Sequence, residues 1–208
     1  MASRPARRVA PVDFGIASFA PGVGVESGDL SLVECTPDRA LIAAIDGIGH
    51  GKIAASASRT AAEILKSFPD EPLVSLVHRC HEALRSSRGV VFSLAAIDFN
   101  EHTLTWLGVG NVQGILVRSS KSTEIGNKSL LLRPGVVGSL LPPLQSATLS
   151  ICPGDTLAFA TDGIRSEFSD DLFLHETPQR AADRILAKHC KGSDDALIFV
   201  ARFLGRPQ

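Results

Sequence analysis

The chain has no excess of charge of either sign: 21 Lys and Arg stand against 22 Asp and Glu, a net charge of −1. Without a basic surplus, nothing favours a nucleic acid as the main partner, because binding to phosphate backbones needs clustered positive charge. It has no apolar run near the roughly 20 residues that cross a bilayer, so no membrane span is read. The four cysteines, Cys35, Cys80, Cys152 and Cys190, include no C-x-x-C pair. Neither a zinc site nor a disulfide framework is supported by that spacing. Cys80 falls at helical spacing with Leu73, Leu76, Val77 and Leu84 and reads as a small buried hydrophobe. Met1 to Arg8 is basic, but Pro11 and Asp13 interrupt what would have to be a signal-peptide core. Residues 1–11 therefore read as a short disordered tail on a cytoplasmic protein. There is no tyrosine and a single tryptophan, which bears on no function, and there is no repeat, low-complexity tract or linker.

What is present suits one folded domain, read here as residues 12–205. The length suffices for a full core, and 44% hydrophobic with 21% charged residues is ordinary for a globular protein. Strands are expected at Val12 to Phe19, Leu30 to Cys35 and Ala40 to Ile45. The last has no polar residue, so both its faces should be buried. After Gly51 a helix follows, with Ile53, Ala57, Ala61, Ile64, Leu65 and Phe68 on one face. A second helix starts near Glu71-Pro72 and runs to about Ser87. His78 and His81 on it could share a metal, but a solvated face is the preferred reading. Short strands then recur at Val90 to Phe99, Thr103 to Val109, Gly114 to Arg118, Ser129 to Arg133, Ala147 to Cys152 and Thr156 to Thr161. Thr177-Pro178 opens a last helix, and Ala196 to Phe203 is a final strand. Hairpin-length links imply mostly antiparallel pairing, and segregated helices on such sheets give an α+β layered fold.

Acidic residues stand at the strand ends. Asp46 and Asp162 follow apolar strands, while Asp29 and Asp194-Asp195 precede strands. In antiparallel sheets the end of one strand lies beside the start of its neighbour, so all four stations can gather on one edge. Carboxylates so gathered repel and raise one another's pKa unless cations lie between them. Oxygen-only ligands suit magnesium or manganese, and two such ions close together activate water for attack on phosphorus. A single Asp-Gly is a common turn dipeptide. Two in matching contexts, with a Ser-Gly-Asp and an Asp-Asp placed consistently, favour a metal site.

The segments Ser27-Gly28-Asp29, Asp46-Gly47-Ile48-Gly49-His50-Gly51, Gly108-Val109-Gly110-Asn111-Val112, Thr161-Asp162-Gly163 and Asp194-Asp195-Ala196-Leu197-Ile198 occur in this order. In that order they resemble the PPM (type 2C) metal-dependent serine/threonine phosphatases, most of all the bacterial sporulation and stress-response branch that includes stressosome feedback phosphatases. The resemblance spans about Gly15 to Phe203. It implies a four-layer α-β-β-α sandwich of two mostly antiparallel sheets flanked by helices, with residues 12–205 as a single phosphatase domain. It also implies two divalent metal ions, Mn2+ or Mg2+. Asp46 would bridge them, the Gly47 carbonyl would bind one, Asp29 would serve the second, and Asp162 and Asp194 would complete the first. A water activated by the metals would attack phosphorus in line, with no covalent intermediate. The implied substrates are phosphoserine or phosphothreonine on stressosome scaffold and antagonist proteins, and the expected state is a monomer.

The chain departs from the family in places. No arginine lies between Phe14 and Gly28, where eukaryotic relatives carry one for phosphate, so phosphate is expected to be held mainly by metals. His50 is displaced from the eukaryotic Asp-Gly-His position. It reads either as a catalytic general acid or phosphate ligand near the helix start, or as a residue that merely begins the helix. Asn111 reads as a turn residue, and Asp195 as a residue that orients ligands or as a solvated one. The rival readings are a catalytically inactive phosphoprotein-binding module of the same fold and a nucleotide cradle at Gly47 to Gly51. The second lacks the Lys-Ser/Thr ending of a P-loop.

Overall fold

A computed structural model describes residues 11–22, 24–120 and 126–205. The tail read over residues 1–11 lies, except for Pro11, outside the described residues. Strand β3 (Arg39–Gly47) runs through the middle of the fold, and Ala40 to Ile45 are all fully buried. Alternation sends Ala40, Ile42 and Ala44 to one side and Leu41, Ala43 and Ile45 to the other. Both sides are covered, which is why the run contains no polar residue.

Beside β3 lie β2 (Asp29–Cys35) and β4 (Val90–Asp98), both antiparallel to it, and β4 continues antiparallel into β5 (Thr103–Val109). The second sheet is built from β1 (Val12–Phe19), β6 (Gln113–Val117), β10 (Thr156–Ala160) and β11 (Ala196–Phe203), in the order β1-β11-β10-β6. The expected strand over Ser129 to Arg133 is two strands in different sheets. β7 (Lys128–Ser129) pairs with β6, and β8 (Leu132–Arg133) pairs in parallel with β5. Between them the chain crosses from one sheet to the other, burying Leu130 and leaving Leu131 exposed. β9 (Ala147–Ser150) adds antiparallel to β5.

The inner faces of the two sheets pack on each other through Ile42, Ala95, Trp106, Leu157, Phe159 and Phe199, among others. Helices α1 (Gly51–Ser67) and α2 (Leu73–Leu84) cover the outer face of the first sheet, and Cys80 is buried there as expected. Helix α3 (Pro178–His189) covers the second sheet through Ala181, Ala182 and Ile185, and a 3-10 helix over Ser166–Asp171 packs Phe168 alongside. The layers are α-β-β-α, as the resemblance implied. Among the described residues no helix is long and apolar enough to cross a membrane.

Two helical expectations are corrected. Ile53 is 57% exposed, and α1 instead turns Ala54, Ala57, Ser58 and Ala61 inward. Small residues win that face because the helix backbone comes down on Gly47: a Cβ there would stand 2.3 Å from the Ala54 carbonyl oxygen. The second correction is His81, which is not merely a solvated side chain. Its Nδ1 accepts the Gly138 N–H at 3.0 Å, tying α2 to the loop after β8.

Candidate metal centre

Strand register sets the first pair of carboxylates. Asp29 stands directly opposite Asp46 across the β2–β3 ladder. Asp46 keeps the parity of Ala40, Ile42 and Ala44, so both side chains face the gap between the sheets, at its open end. Like charges in directly opposed positions destabilise a sheet, which makes this pairing costly unless a cation compensates it. The second sheet brings its own acids to the same end. Asp162 follows β10, whose last link to β11 is the Thr161 N–H donated to Leu197 O at 3.0 Å, and Asp194 and Asp195 precede β11. A cleft of about 490 Å³ is lined by all five carboxylates.

Gly28 anchors this edge. Its N–H donates to Asp195 Oδ2 at 2.7 Å, and its carbonyl accepts from the Gly47 N–H at 3.1 Å and from Ser58 Oγ at 2.5 Å. Strand and helix thereby fix the residue just before Asp29. Thr161 Oγ1 donates to Asp29 Oδ2 at 2.7 Å and accepts the Leu197 N–H at 2.8 Å, so one hydroxyl joins the two sheets at the cleft. Asn111 Nδ2 donates to Asp162 Oδ2 at 3.0 Å. Asn111 is therefore more than a turn residue: it orients a carboxylate of the cleft. Asp195 is 7% exposed, which removes the solvated reading.

The electrostatics follow from this crowding. Burial, followed by the charges of Asp29, Asp162, Asp194 and Asp195, pushes Asp46 up to about 8. Burial is also the main cause for Asp29, which is pushed up to about 7. The Thr161 hydrogen bond opposes that rise, and Asp195, Asp162 and Asp194 add to it. Asp195 Oδ1 is buried with no hydrogen-bond partner. Among the described residues no three His, Cys, Asp or Glu side chains close on one another as a finished metal cage. The carboxylates instead face a shared cleft. The donor set is all oxygen and includes an orphaned buried carboxylate oxygen, so it fits hard divalent ions.

Of the residues expected at the site, Asp29, Asp46, Asp162, Asp194 and His50 line the cleft. Gly47 lies behind it, buried between Asp46 and Ile48. His50 is the N-cap of α1, yet its side chain makes no capping hydrogen bond and is exposed at the cleft. Sequence reasoning missed the tie from Thr161 to Asp29 and the one from Lys191 Nζ to the Asp162 carbonyl at 2.5 Å. The only signal for Thr161 was its place beside Asp162, and for Lys191 there was none.

Residues 36–204 match the family described as Stage II sporulation protein E (SpoIIE). A stretch of 80 residues is 34% identical to phosphoserine phosphatase RsbX of Bacillus subtilis (strain 168); it spans 38% of this chain and 40% of that protein. A solved chain described as "The bacterial stressosome: a modular system that has been adapted to control secondary messenger signaling" superposes with a TM-score of 0.83 at 29% identity, covering 92% of this chain and 99% of its own. RsbX in complex with magnesium superposes with a TM-score of 0.82 at 19% identity, over 94% of this chain and 97% of that one, a likeness of fold.

Proposed function

Because the chain belongs to the Stage II sporulation protein E (SpoIIE) family, we propose that it is a metal-dependent protein phosphatase hydrolysing phosphoserine or phosphothreonine. The pairing of Asp29 opposite Asp46, with Asp162, Asp194 and Asp195 delivered to the same cleft by the other sheet, carries this reading. Two divalent ions, manganese or magnesium, would supply an activated water and neutralise the phosphoryl oxygens.

The chain's own residues have distinct tasks in this proposal. Asp46, the most deeply perturbed carboxylate, would hold both ions, with the Gly47 carbonyl as a backbone ligand. Asp29 would help to hold one ion, and Asp162 and Asp194 the other. Thr161 and Asn111 hold Asp29 and Asp162 in their rotamers, and outer partners of this kind set ligand orientation. Asp195 accepts the Gly28 N–H with one oxygen, while its other oxygen is buried without a hydrogen-bond partner. His50, exposed at the cleft and free of any capping bond, gives its proton to the serine or threonine oxygen as it leaves.

Residues 12–205 act as one phosphatase domain, and the protein works as a monomer. Its substrates are phosphorylated stress-signalling proteins of the stressosome type, supported by the likeness to phosphoserine phosphatase RsbX and to the stressosome structure. An inactive phosphoprotein-binding module would need no such set of opposed carboxylates. Purified protein with manganese should release phosphate from a phosphoserine or phosphothreonine protein, and Asp46→Asn should abolish that release. No release by the wild type, or an active Asp46→Asn variant, sinks the proposal.

A further inference from the structure

The cleft that must receive a phosphate dianion is lined, among the described residues, by five carboxylates and by no lysine or arginine. Two divalent ions do not fully offset five ionised carboxylates, so a phosphoryl group needs positive charge from the rim. Resting on the proposed phosphatase activity, we infer that Arg88 is the residue that binds the substrate's phosphoryl oxygens.

Several observations place it there. The Arg88 guanidinium lies against Gly49, a residue of the cleft wall: a Cβ on Gly49 would stand 2.7 Å from Arg88 Nη1. Gly49 has φ +104, a conformation natural to glycine, and its bare Cα is what lets the guanidinium lie across this wall. The backbone around Arg88 is fixed. The Ile48 N–H donates to Gly89 O at 3.1 Å, the Gly89 N–H to Ser87 Oγ at 3.0 Å, and Val90 and Val137 exchange N–H donors across a bridge. Arg88 thus starts from a pinned segment while its side chain stays exposed. No ion pair or hydrogen bond engages its guanidinium among the described residues.

Two other cations near the cleft are already engaged. Arg133 follows the β5–β8 pairing to the cleft residue Pro134, but its Nη2 donates to Gln145 Oε1 at 2.5 Å. Lys191 is held on the Asp162 carbonyl. A planar guanidinium suits phosphate because it can donate two parallel N–H bonds to two oxygens of one group, which an ammonium cannot. Beside Gly49 begins helix α1, with no acidic residue in its first turn, so the adjoining backbone does not oppose an anion.

The test uses the full chain, manganese-loaded, as wild type, Arg88→Ala and Arg88→Lys. Calorimetry measures the affinity for inorganic phosphate, and steady-state kinetics measure an aryl phosphate and a phosphoserine protein. A lost charge-assisted contact weakens binding by about ten- to a hundredfold. Arg88→Ala should therefore raise the phosphate Kd and the KM for both substrates by at least about tenfold. Manganese affinity should be unchanged, which also certifies the fold, and Arg88→Lys should recover part of the loss. A phosphate Kd in Arg88→Ala equal to the wild type's overturns the inference, as does a wild type that binds no phosphate. If the wild type binds phosphate but turns over no substrate, the phosphatase reading falls while the Kd comparison still decides Arg88.

Discussion

Replacing Asp46 by asparagine should stabilise the metal-free protein at alkaline pH, although the substitution removes the central residue of the site. Asp46 rises from 3.8 to about 8 in the folded state, chiefly by burial and then by its four acidic neighbours. Asp29 rises from 3.8 to about 7, again chiefly by burial. A carboxyl with a raised folded pKa binds more protons in the native than in the unfolded state between those values. Stability is therefore fully present below about pH 4 and is lost as pH rises through 7 and 8. Each tenfold change in proton affinity is worth about 1.4 kcal/mol, which puts Asp46 alone at no more than about 6 kcal/mol. The two groups share one repulsion and face a wet cleft, so a combined loss of about 3 to 4 kcal/mol between pH 5 and pH 8 is expected. For a chain of this size that is roughly 6 to 16 °C in Tm. Thermal melts in a chelating buffer at pH 5, 6, 7 and 8 read it directly. Asp46→Asn should flatten the profile and raise Tm at pH 8 by several degrees. Manganese at about a hundred times its Kd should add about 2.7 kcal/mol to the wild type and little to the variant. A metal-free wild type whose Tm is flat or rises from pH 5 to pH 8, or an asparagine variant that melts lower at pH 8, would refute the reasoning.

Other perturbations separate orientation, packing and electrostatics. Asn111→Ala removes the donor that orients Asp162 and should cost about ten- to a hundredfold in manganese affinity or turnover while leaving Tm in chelator within a few degrees, as titration calorimetry and melts would show. Gly47→Ala drives a methyl into the Ala54 carbonyl oxygen and should destabilise the fold by about 1 to 3 kcal/mol or more in urea titrations, with or without metal. Far from the cleft, the buried Arg118 guanidinium donates to Asp155 at 2.9 Å. Asp155→Ala should destabilise by about 3 to 5 kcal/mol in the same titrations without changing the KM of the protein that remains folded.

The strands that were legible are those whose pattern has one cause. Val12–Phe19 and Ala196–Phe203 carry their expected bounds because each is a run ended by a turn or a loop. The stretch from Ser129 to Arg133 reads as one strand because nothing local marks a change of sheet. The crossing shows only in the opposite fates of the neighbours Leu130 and Leu131, 8% and 70% exposed. Ile53 misled for a related reason. Periodicity ranks side chains by hydrophobicity, whereas the face of α1 is chosen by how closely the helix backbone approaches Gly47. The acidic stations were legible because antiparallel pairing carries strand ends to a common edge. Their partners were not, since Thr161, Asn111 and Lys191 act through geometry that spacing does not encode.

The ties at the acidic edge also have a kinetic meaning. The bond from the Gly28 N–H to Asp195 joins residues 167 apart in the chain, and the one from Thr161 to Asp29 joins residues 132 apart. Contacts that close such long loops form late, after the local hairpins have gathered their strands. The acidic edge should thus assemble on the native side of the folding barrier. Divalent ions should consequently slow unfolding in proportion to their affinity and leave the refolding rate almost unchanged. Metal would then act on this chain as a latch that sets its lifetime, without helping it to find its fold.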